Sequence, residues 1–110
     1  MKLPNPNDAI IEMRKLLTYC LDPEHSEGQH KARVFRSALG LTQDNADELV
    51  AALFEAVQTQ DAVPIKRNPY GQKYVIDFMM TRGDRQALIH SVWIVRDTET
   101  FPRLITCYIL

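Results

Sequence analysis

Histidine, lysine and arginine side chains gather in one short stretch of the chain, PEHSEGQHKARVF at residues 23–35. His25 and His30 flank a glycine at which a helix is predicted to begin, and Lys31 and Arg33 follow. The free N–H groups of a helix N-terminus attract anions, and the two cations add positive charge there. The stretch therefore predicts an anion site, to which an ordinary solvated helix start is the alternative.

Hydroxyl groups near the end of the chain could supply neutral hydrogen-bond donors to the same anion. Thr106 and Tyr108 alternate with apolar residues in the segment RLITCYIL, as on one face of a strand. An open, solvated sheet face is the alternative for this pair. His90, in the preceding predicted strand, is interpreted as an ordinary exposed or hydrogen-bonded histidine.

Together these residue types suit cleavage of RNA by its own 2′-OH. A histidine can take the 2′-OH proton, a second acid can protonate the leaving 5′-oxygen, and cations can stabilise the charged phosphorane. His25 and His30 are five residues apart and do not share a helix face, which disfavours a two-histidine metal clamp. The chemistry therefore predicts an endoribonuclease without a metal or a cofactor.

Composition and charge place the chain among single-domain globular proteins. It has 110 residues, of which 45% are hydrophobic and 25% are charged, enough for one core over residues 1–110. The net charge of −1 conceals a segregation, because residues 37–65 carry five acids and no base while residues 66–110 carry seven bases and four acids. An acidic middle segment could orient an anionic ligand or contact a charged partner.

Apolar residues recur at helical spacing in the first half of the chain and alternate in the second half. The predicted helices span residues 8–22, with Asn7 or Asp8 as the cap, 28–39 and 42–60. The predicted strands span residues 62–66, 72–81, 86–96 and 103–110, with a hairpin turn at 82–84. This order predicts an α+β fold, with three N-terminal helices packed on a C-terminal antiparallel sheet of about four strands.

The contact between the two halves is expected at the third helix and the last strand. Leu49, Leu53 and Phe54 should be buried against Ile105 and Cys107. Within the last predicted strand, the set facing the helices is Ile105, Cys107 and Ile109, and the opposite set is Leu104, Thr106 and Tyr108.

Several ordered motifs resemble those of a bacterial family described as a domain of unknown function. HSEGQHKARVF is similar to its HPxGxxKAxxF motif, YGQKYVIDF to its YGxxYxxxF strand, SVWIV to its tryptophan strand and PRLITCYIL to its terminal PRLxTxY strand. The opening LPNPNDAIIEMRKLLTYCL resembles its first helix. The resemblance covers nearly the whole chain and implies membership of that family, but it names no function.

A histidine and a lysine near a helix N-terminus, followed by a sheet that ends in a Thr-x-Tyr strand, also resemble ribonuclease toxins of the barnase, EndoU, colicin D and RelE type. This resemblance implies His25 or His30 as base or acid and Lys31 as a phosphate ligand. It also implies that Arg103 binds phosphate or pins the strand end, and that Thr106 and Tyr108 orient the transition state. RNA would then be the substrate, and a small cognate antitoxin protein would be the partner.

Two other functions remain open from the sequence. A non-catalytic interaction module, such as an antitoxin or immunity-type binder, would use the acidic third helix against its partner. A small-molecule-binding domain would use the cleft between helices and sheet. No export signal and no long apolar run is visible, so a cytoplasmic protein without a membrane contact is expected.

The two cysteines provide a test of that compartment. Cys20 and Cys107 lack CxxC spacing, and thiols stay reduced in the cytoplasm. Thiol titration of the native protein under denaturing, non-reducing conditions should therefore count two free thiols. A count of zero, with a Cys20–Cys107 bridge found by mass spectrometry, would contradict both the reduced state and the cytoplasmic assignment.

Overall fold

Four antiparallel strands in chain order form the sheet of the computed structural model, which describes residues 1–110. The strands are β1 (Val63–Asn68), β2 (Gly71–Arg82), β3 (Arg85–Arg96) and β4 (Pro102–Ile109). Each strand pairs with the next one along the chain, so β1 and β4 are the two edges. Short hairpins permit this order, and Gly83 in the β2–β3 turn has a positive φ of 63° that suits glycine.

The helices occupy the N-terminal half, which confirms the predicted α+β fold. They are α1 (Met13–Lys15), continued by a π-helical turn (Leu16–Cys20), then α2 (Gln29–Leu39) and α3 (Ala46–Thr59). α2 ends at Gly40 with a φ of 67°, as expected for a left-handed cap. None of the helices combines the length and the apolar character needed to cross a bilayer.

The first helix is shorter than the sequence predicts, because it begins at Met13 and not near Asp8. The chain before it pairs with the edge strand: the Ile10 N–H donates to the Pro102 carbonyl, and the Leu104 N–H donates to the Ile10 carbonyl, both at 2.9 Å. This long-range pairing satisfies backbone groups at the exposed edge of β4 and prevails over the local helical spacing.

The helices cover one face of the sheet and enclose the core. Within the sheet α3 packs on β2, whereas α2 packs on β3 and β4. Leu49, Leu53 and Cys107 are fully buried in one cluster, which confirms their predicted burial. The predicted contact of the third helix with the last strand is wrong, because α2 and not α3 packs on β4. Phe54 and Ile105 are only half-buried, so the burial predicted for these two residues is wrong.

A β-bulge in β4 explains the exposure of Ile105. Leu104 pairs with Trp93 and Thr106 pairs with Val92, which leaves Ile105 as an extra residue without a partner. The bulge shifts the alternation by one position and turns Leu104 into the core, where it is 2% exposed. Placing Leu104 on the open face was therefore wrong, because strict alternation assumes a strand without a bulge.

Gly28 lies where the loop before α2 crosses the π-helical turn. A Cβ atom at this position would lie 2.2 Å from the carbonyl oxygen of Tyr19 and 3.0 Å from its carbonyl carbon. The two backbone segments are thus in direct contact, and only glycine permits that approach. The contact fixes the start of α2 against the turn that carries Tyr19.

Replacement of Gly28 by alanine tests this contact. Because backbone atoms cannot yield as a flexible side chain does, Gly28→Ala should lower the free energy of unfolding by about 1–3 kcal/mol. Urea denaturation followed by the fluorescence of the buried Trp93 measures the change. Ser37→Ala, on the exposed side of α2, is the control and should stay within about 0.5 kcal/mol of wild type. An unfolding curve for Gly28→Ala that superimposes on that of the control would contradict the close approach.

Candidate functional site

The ammonium group of Lys31, in the first turn of α2, lies among aromatic and hydroxyl side chains. Its Nζ donates to the Tyr19 hydroxyl at 3.3 Å and to the Thr106 hydroxyl at 3.4 Å. Nζ also lies 4.7 Å from the centre of the Tyr19 ring and 5.2 Å from the centre of the Tyr108 ring. We call Tyr19, Lys31, Thr106 and Tyr108 the Lys31 cluster. The structure thus brings together three of the predicted site residues and adds Tyr19.

No carboxylate forms an ion pair with Lys31. The side chain is half-buried, and aromatic faces attract the ammonium without neutralising its charge. A cation in this state keeps its attraction for an anion from solution, and the rings beside it exclude water that would weaken that attraction.

His25 borders the cluster at Tyr19. Its ring meets the Tyr19 ring edge-on, with 4.8 Å between the ring centres. Its Nδ1 accepts hydrogen bonds from the backbone N–H groups of Glu27 and Gly28, both at 3.0 Å. Since an accepting Nδ1 carries no proton, the ring proton is on Nε2. His25 therefore closes the loop into α2 and presents an Nε2–H donor.

His90 borders the cluster at Tyr108, a contact that the sequence interpretation missed. The two residues are a cross-strand pair, with 5.0 Å between ring centres. His90 Nδ1 lies 2.6 Å from Asp77 Oδ1 on β2, its partner on the other side. The carboxylate can only accept, so Nδ1 donates and Nε2 holds the lone pair of the neutral ring. A turn at 82–84 would place Asp77 opposite Ile89, whereas the observed turn pairs Arg82 with Arg85 and so sets Asp77 opposite His90.

The remaining predicted site residues lie outside the cluster. His30 and Arg33 are exposed on α2, where Arg33 donates to Gln29 at 3.3 Å. Arg103 is near the far end of β4, about 15 Å from Tyr108 at the usual rise of a strand. It donates two hydrogen bonds of 2.7 Å to Glu99, and this bonding holds the pKa of the Glu99 carboxyl below its ordinary value. The structure therefore does not bring Arg103 to Lys31.

A pocket of about 390 Å³ opens beside the Lys31 cluster. It is lined by Lys15, Tyr19, Cys20, Lys31, Ile105 and Thr106.

Cys20 Sγ lies 3.9 Å from the Thr106 hydroxyl. A hydrogen bond from the Cys107 thiol lowers the pKa of Cys20 to about 6 in spite of burial, while the pKa of Cys107 is raised well above its ordinary value. The sequence analysis did not predict that these two thiols are neighbours, because they come from opposite ends of the chain.

The protein is thus an α+β protein, with helices on one face of a four-stranded antiparallel sheet. The Lys31 cluster lies beside the edge strand β4. The chain belongs to the family described as "Domain of unknown function (DUF6883)", whose model matches residues 2–110. This agrees with the predicted membership of a family described as a domain of unknown function. No curated protein matches the chain.

One solved structure shares the fold over nearly its whole length. It is a contact-dependent growth inhibition toxin – immunity protein complex from Klebsiella pneumoniae 342. The match has a TM-score of 0.71 and 12% sequence identity, and it covers 94% of this chain and 95% of that chain. At this identity the likeness establishes the fold alone, so the implied relation to ribonuclease toxins stays a prediction.

Proposed function

We propose that this protein is a metal-independent endoribonuclease that acts as the toxin of a toxin–antitoxin-like pair. The observation that carries the proposal is the ammonium of Lys31, which has no carboxylate partner and lies in a cluster bordered by His25 and His90. The solved structure with the same fold supports a role in such a pair, because it is a complex of a toxin with an immunity protein.

The Lys31 cluster suits a phosphodiester because it combines one positive charge with neutral donors. Lys31 offers three N–H groups, and the hydroxyls of Thr106 and Tyr108 can each donate one hydrogen bond. Negative charge grows on the phosphate oxygens as the phosphorane forms, so fixed donors there lower the barrier. The exposed His30 and Arg33 are assigned to the neighbouring phosphates of the RNA backbone.

The two bordering histidines are suited to different tasks. His90 is oriented through Nδ1 by Asp77, so its Nε2 can take the proton of the 2′-OH. His25 uses Nδ1 for backbone hydrogen bonds, so its Nε2–H donates to a phosphate oxygen. Lys31 protonates the leaving 5′-oxygen. The 2′-oxygen bonds to phosphorus as the bond to the 5′-oxygen breaks, which leaves a 2′,3′-cyclic phosphate and a 5′-hydroxyl.

Lys31→Met tests the central assignment, because it removes the charge and keeps most of the stem. We expect RNA cleavage in the presence of EDTA to slow by about 10²–10³-fold, as for loss of one fixed donor to a developing anion. His90→Ala removes the base and should slow cleavage by about 10²–10⁴-fold. Initial rates on total RNA, at matched folding by circular dichroism, measure both effects.

Arg36→Met is the matched control, because it removes one exposed cation from the same helix. It should retain cleavage within about threefold of wild type, since exposed charges are screened by salt. Equal rates for wild type and Lys31→Met, or no cleavage by wild type at high enzyme concentration, would reject the ribonuclease proposal.

A non-catalytic immunity-type binder is the second candidate, and the surface of α3 favours it. Asp47 and Glu55 are exposed and form no ion pair, whereas Glu48 is bound by Arg82 at 3.0 Å. Two free carboxylates on one helix suit a basic partner surface. In this case wild type does not cleave RNA, and reversing both charges abolishes binding of the partner.

A further inference from the structure

We propose that Cys20 and Cys107 are a peroxide-reactive pair, in which Cys20 is the reacting thiol and Cys107 is the resolving thiol. Their disulfide would join the π-helical turn to β4 at the strand that carries Thr106 and Tyr108. The proposal concerns a modification of the protein and does not depend on ribonuclease activity.

The fold places the two thiols together although they come from opposite ends of the chain. Cys20 is the last residue of the π-helical turn, and its sulfur is 3.9 Å from the hydroxyl of Thr106, the residue next to Cys107. Both side chains are buried in the same cluster, and the neighbouring Cys107 is the first cause of the lowered pKa of Cys20. Both thiols are free. β4 packs directly on the π-helical turn, so the two cysteines lie on segments of the chain that contact each other.

The pocket beside the Lys31 cluster distinguishes the roles of the two thiols. Cys20 contributes to its wall, whereas Cys107 does not. The pocket has a volume of about 390 Å³. One water molecule occupies roughly 30 Å³ in the liquid, so the pocket has room for hydrogen peroxide. An oxidant that enters from solution therefore meets Cys20 first.

The surroundings of Cys20 favour its reactive form. The titratable groups that face it are Tyr19 beside it, Lys15 from α1, Lys31 from α2 and Cys107 from β4. The hydrogen bond from Cys107 is the first cause of its lowered pKa of about 6, and Lys31 adds a smaller attraction. Near neutral pH the side chain is thus mainly thiolate, the nucleophilic form.

The chemistry balances with one hydroperoxide and two thiols. The Cys20 thiolate attacks one peroxide oxygen, the O–O bond breaks and hydroxide leaves, which gives a sulfenic acid. The Cys107 sulfur then attacks the Cys20 sulfur, the S–O bond breaks, and the departing hydroxide takes the Cys107 proton to form water. Bonding to the Cys20 thiolate is the first cause of the raised pKa of Cys107, and this cause disappears once Cys20 is a neutral sulfenic acid.

Peroxide treatment of the reduced full-length protein tests the proposal. Intact mass after quenching with N-ethylmaleimide should show loss of both thiols within one chain, and peptide mapping should find the Cys20–Cys107 bridge. In Cys107→Ser the reaction should stop at the sulfenic acid, which dimedone labels at Cys20. Cys20→Ser should lose its remaining thiol at least about tenfold more slowly than wild type loses its thiols.

The pH dependence in wild type provides a readout that requires no variant. Alkylation of Cys20 by iodoacetamide should be fast above pH 6 and slow below it, because protonation removes the nucleophile as pH falls through a pKa of about 6. A midpoint near that of an ordinary thiol, dimedone labelling at Cys107 in wild type, or two intact thiols after peroxide treatment would each overturn the proposal.

Discussion

The ammonium of Lys31 joins three parts of the fold, and the candidate site depends on it. Tyr19 comes from the π-helical turn, Lys31 from α2, and Thr106 and Tyr108 from β4. Withdrawing a charge from water is unfavourable unless other groups replace the solvent. Here two hydroxyls and two aromatic faces do so without a carboxylate, and the charge stays available to a ligand.

Cys20 lines the same pocket as Lys31 and is a source of negative charge there, but its attraction to Lys31 is weak. The hydrogen bond from Cys107 is the first cause of the lowered Cys20 pKa, and the attraction of Lys31 is the last. The thiolate is therefore stabilised by its own thiol partner, and Lys31 is left for an anion from solution. Phosphate chemistry and thiol chemistry can thus occupy adjoining parts of one pocket.

Local patterns predicted most of the fold, and long-range pairing accounts for the errors. The change of apolar period after Gln60 and the glycine at position 40 depend on neighbouring residues, and both agree with the structure. The start of the first helix depends on Ile10 pairing with β4, and the bulge at Ile105 depends on the register between strands. Neither the helix start nor the bulge can be predicted from the residues next to it in the sequence.

The same distinction applies to the candidate site. His25 and Lys31 could be found because a helix start brings them together within one short stretch. The Asp77–His90 pair requires the register of two strands, and Tyr19 requires the π-helical turn that aims it at Lys31. Sequence spacing therefore predicted the positive charge of the site. Asp77, which orients His90, and Tyr19, which contacts Lys31, could be identified only from the structure.

The chemical ends of the RNA products test the account most directly. Attack by the 2′-OH under the control of Lys31 and His90 predicts fragments with a 2′,3′-cyclic phosphate and a 5′-hydroxyl, formed in the presence of EDTA. It also predicts that an oligonucleotide with 2′-deoxyribose at the cleaved position stays intact. Products with a 3′-hydroxyl and a 5′-phosphate, or cleavage of the 2′-deoxy substrate, would contradict the account.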